Sequence, residues 1–158
     1  LYESLTLAGT RPQPGEFCID VGGSPGGWPW AIHQCGAEVL SIDRSPLAPS
    51  GANLQGVSFQ KRAAFSLLPE DFEQEGKTVD WLFSDLICYP EKLYEWILKW
   101  VESGKCKNFI CTLKFKGKPD RSIIDQFASI PNSKVQHLFH NKNELTWFKL
   151  SQPAGSGL

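Results

Sequence analysis

The sequence predicts an α/β fold: a doubly wound, mostly parallel sheet of seven strands with helices on its faces and an antiparallel hairpin at its end. Three observations carry this reading. Short apolar runs alternate with helical stretches along nearly the whole chain. A turn crowded with glycine separates the first run from the first helical stretch. The last two runs follow one another with only turn residues between them.

The elements follow in order. "FCIDV", Phe17 to Val21, is a short buried strand bounded by Gly15 and Gly22. After the glycine turn, Trp28, Ala31, Ile32 and Cys35 fall at helical spacing until Gly36 ends the helix. "EVLSID", Glu38 to Asp43, is the second strand; the prolines and glycines of "RSPLAPSGANLQG" mark a loop, and "VSFQ" is a third, weaker strand. "TVDWLFSDL", Thr78 to Leu86, is the fourth. Pro90 to Ser103 is the clearest amphipathic helix: Pro90 suits its first turn, Leu93, Trp96, Ile97 and Trp100 share one face, and Gly104 closes it. "NFICTLKF", Asn108 to Phe115, precedes a helix over Pro119 to Ser129. "KVQHLFH" and "ELTWFKL", joined by "NKN", finish a domain spanning residues 1–150, and residues 151–158 form a flexible tail.

A chain of 158 residues, 41% hydrophobic, has enough material for one core. Its 16 basic and 17 acidic residues nearly cancel, so net charge selects no class of partner. The five cysteines include no Cys-x-x-Cys pair and read as free, buried thiols of a reducing, cytosolic compartment. No run approaches the length of a membrane span, and nothing at the start resembles a signal peptide. His33, His137 and His140 lack the spacing of a metal site and read as structural or surface groups. The absence of any Met suggests an excerpt of a longer protein or trimmed ends.

The glycine turn, "DVGGSPGGW", lies where open α/β sheets bind ligands, at the carboxyl end of a strand and the start of a helix. A dinucleotide fingerprint requires a third-position glycine where Ser24 stands, and the lysine of a Walker-type loop is missing. The turn instead resembles the first motif of S-adenosylmethionine-dependent methyltransferases, in the D-x-G-x-x-P-G-G-[WF] form of the FtsJ-type ribose 2′-O-methyltransferases: Asp20, Gly22, Pro25, Gly26, Gly27 and Trp28, with Gly23 and Ser24 between. The resemblance extends through "SIDRSPLA", "VDWLFSDLICYPEKL", "WVESGKCKNFICTLK" and "NELTWF", from Asp20 to Phe148. It is greatest to the RlmM-type cytidine 2′-O-methyltransferases of bacterial large-subunit ribosomal RNA.

This resemblance implies a Rossmann-like fold, S-adenosyl-L-methionine as cofactor and RNA, with ribosomal RNA foremost, as substrate. Asp20 and residues 22–28 become cofactor-binding residues, and Asp43, about 20 residues beyond the glycines, is placed to accept both ribose hydroxyls of an adenosine. Three members of the family's Lys-Asp-Lys-Glu tetrad have counterparts in Asp85, Lys114 and Glu144. A ribose hydroxyl is a poor nucleophile, so a lysine desolvated by burial, Lys114, is assigned to accept its proton. Asp85 orients that lysine beside the sulfonium, and Glu144 positions the lysine or the hydroxyl.

The chain departs from the family pattern twice. No lysine precedes Asp20, which places the first tetrad member upstream of Leu1, and Ala63 stands where many relatives carry an acid facing adenine. Trp28 and Trp30 read first as core, as do Trp96 and Trp100. Lys105, Lys107, Lys114, Lys116, Lys118 and Arg121 are expected around one strand end and its loop, with Arg44, Lys61 and Arg62 nearby, as phosphate contacts. A separate RNA-binding domain outside this sequence is expected to add grip. Two other readings remain: a methyltransferase acting on a small molecule or protein, and a noncatalytic relative that binds RNA or a partner.

Overall fold

The computed structural model describes residues 1–22, 27–45, 54–138 and 144–151. Seven strands form one sheet: β1 (Phe17–Val21), β2 (Glu38–Asp43), β3 (Val57–Lys61), β4 (Val79–Ser84), β5 (Cys106–Lys114), β6 (Ser133–Gln136) and β7 (Glu144–Lys149). Their order is β3-β2-β1-β4-β5-β7-β6. The first five are mutually parallel, and β7 runs antiparallel between β5 and β6. The expected architecture is therefore present, terminal hairpin included. The "NKN" turn and His140 lie outside the described residues, as do residues 152–158 of the expected tail. Ser151, the first tail residue, donates its backbone N–H to Asn108 Oδ1 at 2.8 Å.

Among the described residues four α-helices cover the sheet: α1 (Tyr2–Ala8), α2 (Gly27–Gln34), α3 (Pro90–Ser103) and α4 (Arg121–Ala128). Alternation along the strands sends side chains to opposite faces. On one face Ile19, Leu82 and Phe109 join Trp96 and Trp100 of α3 and Phe127 of α4. On the other, Cys18, Trp81, Phe83 and Ile110 meet Leu5 of α1 and Ile32 of α2. Two of the buried indoles find partners, Trp96 Nε1 donating to the Leu67 carbonyl at 2.8 Å and Trp147 Nε1 to that of Phe127 at 3.0 Å, whereas Trp100 Nε1 has none among the described residues.

Several expectations need correction. α1 was not anticipated; seven residues hold too little periodic signal, and its burial of Ser4 and Leu5 comes from docking. Trp30 is no core residue: it is 46% exposed, on the outer side of α2. Cys35 and Cys88 are only half-buried, although all five thiols are free and Cys18, Cys106 and Cys111 are buried. β5 begins at Cys106 and runs nine residues, which separates Lys105 and Lys107 from Lys114 by almost the length of a strand, about 26 Å at its far end. Lys107 instead faces Asp80 at 3.5 Å, at the opposite edge of the sheet. No helix among the described residues is long and apolar enough to cross a membrane.

Candidate active site

The carboxyl ends of β1, β2, β4 and β5 define the site. Gly22 follows β1 with φ +78°, a left-handed conformation, and its N–H donates to the Ile42 carbonyl at 2.9 Å. A Cβ there would lie 3.1 Å from the Leu86 side chain and 3.2 Å from its backbone, so glycine is required twice over. Asp43 closes β2, and its Oδ1 accepts from the Ser45 N–H at 3.0 Å, which fixes the carboxylate at the start of the following loop. Asp85 stands one residue past β4, its N–H donating to the Val21 carbonyl at 3.2 Å. The apolar run "VDWLFSDL" thus ends as a strand one residue before the acid.

Lys114 closes β5 and reaches back to β4. Its Nζ lies 3.2 Å from Asp85 Oδ1 and donates to the Asp85 carbonyl at 2.9 Å. Glu144 opens β7 directly opposite Lys114 in the antiparallel register. Asp85, Lys114 and Glu144, separated by up to dozens of residues in sequence, are gathered by three strand ends. Lys114 is not sealed from water, however: its side chain remains 21% exposed.

A cavity of about 670 Å³ opens above these ends, lined by Gly22, Asp43, Ala63, Phe65, Asp85 and Lys114, among others. The strand order spreads these residues across it, with Asp43 and Ala63 toward β2 and β3 and Asp85 and Lys114 toward β4 and β5. A smaller cavity of about 170 Å³ is lined by Glu3, Trp28, Asp85 and Glu144. Asp85 borders both. Trp28 is half-buried, edge-on to Phe83 at 6.2 Å between ring centroids. Gly27 begins α2 and is exposed, while Gly23, Ser24, Pro25 and Gly26 lie outside the described residues.

Asp20, two residues before Gly22 on β1, is fully buried, and among the described residues neither carboxylate oxygen has a hydrogen-bond partner. Burial, followed by the negative charges of Asp85 and Asp43, holds its carboxyl well above the usual carboxylate range. Ser41, beside it on β2, offsets this weakly, since its hydroxyl falls short of hydrogen-bonding geometry. The charges of Asp85 and Asp43 at the adjacent strand ends therefore disfavour ionisation of Asp20, an effect that a positively charged ligand beside them relieves. Among the described residues no group of His, Cys, Asp and Glu is placed to hold a metal ion.

Phe65, Ile87, Tyr89 and Lys92 also line the larger cavity, and the reading of the sequence did not single them out. Phe65 follows Ala63 in a short helical turn and packs on Trp96, so it occupies the stretch where the acidic adenine contact was sought. No sequence signal marked it. An isolated aromatic after two alanines reads as a loop residue until the sheet places it.

The fold is the Rossmann-like one found in S-adenosylmethionine-dependent methyltransferases. Among solved structures, the chain is similar to a Methanococcus jannaschii fibrillarin, a pre-rRNA processing protein (TM-score 0.67, 15% identity, covering 88% of this chain and 67% of that one). A Lactococcus lactis protein described as a hemolysin gives a TM-score of 0.69 at 14% identity, covering 96% and 88%. No family model matches the chain. In sequence, it is 30% identical over 141 residues to the ribosomal RNA large subunit methyltransferase M of Halorhodospira halophila, covering 86% of this chain and 40% of the relative. The chain is thus a relative of the ribosomal RNA large subunit methyltransferase M proteins and spans about two-fifths of the length of those it matches.

Proposed function

We propose that residues 1–150 form an S-adenosylmethionine-dependent domain that methylates ribose 2′-hydroxyls of RNA, with large-subunit ribosomal RNA as its substrate. The observation that carries this reading is the pairing of Lys114 with Asp85 in a cavity also lined by Gly22 and Asp43, with Glu144 opposite Lys114 in the strand register and lining the adjoining smaller cavity with Asp85. The names of the sequence relatives support the RNA substrate. The five free thiols fit the reducing cytoplasm, where ribosomes are found.

The residues present fit the cofactor. Asp43 would accept the ribose hydroxyls of its adenosine, Ala63 and Phe65 would face the adenine, and Gly22 would let the chain approach closely. The cluster of Asp20, Asp43 and Asp85 suits its positive charges. S-adenosylmethionine, when bound, supplies a methyl group made electrophilic by a sulfonium. Lys114 Nζ, once it has given up its own proton, accepts the proton of the ribose 2′-hydroxyl as that oxygen attacks. Asp85 holds Nζ in place through its carboxylate and its carbonyl, and Glu144, opposite Lys114, orients the hydroxyl.

Titration calorimetry with S-adenosylmethionine should show binding that Asp43→Ala removes. Transfer of labelled methyl to ribosomal RNA should fall roughly 10²- to 10⁴-fold in Lys114→Ala, while Lys114→Ala and Glu144→Gln keep cofactor affinity within a few-fold. Transfer that survives both changes would point to a small-molecule or protein acceptor. Cofactor or RNA binding without any transfer would leave a noncatalytic relative.

A further inference from the structure

We infer that the mouth of the larger cavity takes an unpaired nucleotide, its base stacked on Tyr89 and a phosphate held by Lys92; this rests on the RNA reading above and specifies the kind of RNA. Among the described residues five large apolar side chains are exposed: Tyr2, Leu7, Trp30, Ile87 and Tyr89. Three lie on α1 and α2. The other two flank Cys88 in the segment between β4 and α3, line the cavity beside Asp85 and Lys114, and are the most exposed of the five, Ile87 at 91% and Tyr89 at 61%.

The backbone explains why Tyr89 stands out. It precedes Pro90, which excludes the helical conformation, and it adopts an extended one (φ −67°, ψ 134°) at the N-cap of α3. Its ring therefore cannot follow Leu93, Trp96 and Ile97 into the core. Two hydrogen bonds onto the Tyr89 carbonyl, from the N–H groups of Lys92 at 3.1 Å and Leu93 at 3.2 Å, fix that position. An aromatic ring on a fixed backbone at a cavity mouth is a stacking platform that needs little ordering when a base arrives.

Lys92 supplies the charge. It sits in the first turn of α3, where the helix dipole disfavours a cation, so local preference does not account for it. It lines the same cavity, and Cys88, between Ile87 and Tyr89, feels the positive charges of both Lys92 and Lys114. An exposed aromatic, an aliphatic neighbour and two cations match a nucleotide's base and phosphate. A base stacked within a duplex presents no free face to Tyr89, whereas an unpaired or extruded one does.

The test uses the full chain and a short single-stranded RNA carrying one 2-aminopurine riboside, whose fluorescence is quenched on stacking. Wild type should quench it. Tyr89→Ala should abolish the quench and weaken binding roughly tenfold, Tyr89→Phe should restore both, and calorimetry should show cofactor affinity unaltered in Tyr89→Ala. Adding protein to the same RNA annealed into a duplex, where stacking on neighbouring bases already quenches the probe, should produce no further change. Absence of a quench in wild type, a quench unchanged in Tyr89→Ala, or a loss that phenylalanine does not repair overturns the inference. A Tyr89-dependent quench in a protein that transfers no methyl would leave the stack standing and remove the methyltransferase reading instead.

Discussion

A carboxyl that is wholly enclosed and lacks a hydrogen-bond partner among the described residues, as Asp20 does, makes stability depend on pH in a definite direction. Burial first, and then Asp85 and Asp43, raise its proton affinity above that of an unfolded carboxyl, about 3.9. The folded chain therefore holds this proton more tightly than the unfolded one. Its stabilising contribution is complete below the unfolded value and is lost as pH rises through the raised folded value, above which a buried charge must be carried. Asp20→Asn keeps the shape and cannot ionise. Urea denaturation of both proteins at a series of pH values should show the variant gaining on wild type as pH climbs from acid toward the raised value, then a constant difference. A difference that never changes with pH would mean that Asp20 titrates normally. Bound cofactor should narrow the gap, because its positive charge compensates the same carboxylate.

Elements differ in how plainly the sequence announces them, and the glycine turn at the end of β1 is the most legible. Its glycine requirement is visible in the structure at Gly22, where a positive φ and the closeness of Leu86 both exclude a side chain. Gly22→Ala should cost about 1–2 kcal/mol in chemical denaturation from the left-handed backbone alone, and it should weaken cofactor binding by pushing Leu86 into the cavity. Loss of affinity without loss of stability would argue against strain. α3 was legible to the residue, because Pro90, a four-residue apolar face and Gly104 all agree. α1 was not, since its seven residues are held by contacts that come from elsewhere in the chain. The side chains proposed as catalytic were legible as types at strand ends that one sheet edge could gather; which of them touch was not, because Lys114 meets Asp85 through the pairing of β4 with β5 and faces Glu144 only because β7 inserts beside β5. Phe65, Tyr89 and Lys92 were invisible for a related reason: each is unremarkable in its own segment and becomes part of a cavity only through strand order. The grouping of Lys105 and Lys107 with Lys114 failed on strand length: nearness in sequence is not nearness in space when a nine-residue extended strand puts Lys105 and Lys107 at one end and Lys114 at the other.

Across the whole molecule the charge is nearly balanced, −1 at neutral pH, yet the two edges of the sheet use their lysines differently. At the amino ends of the parallel strands, Lys77 pairs with Glu38 at 3.1 Å and Lys107 with Asp80 at 3.5 Å. At the carboxyl ends, Lys116, Lys118 and Arg121 are exposed on the segment after Lys114, and none takes part in the four ion pairs among the described residues. If RNA lies across the cavity, only this second edge neutralises phosphates. Each phosphate contact on a single strand contributes about 0.7 to the slope of log affinity against log salt. Lys116→Gln with Lys118→Gln should therefore weaken binding of a single-stranded RNA at low salt and reduce that slope by about 1.4. Lys105→Gln with Lys107→Gln removes the same net charge from the far edge, about 26 Å away at β5's start. Beyond a Debye length such charges are largely screened at physiological salt, so this pair should leave the slope unchanged. Equal effects from the two pairs would show that RNA responds to total charge and would remove the assignment of the carboxyl edge as the binding face. A slope that falls only for the Lys116 and Lys118 pair would place the RNA beside Lys114, where the proposed mechanism puts the acceptor hydroxyl.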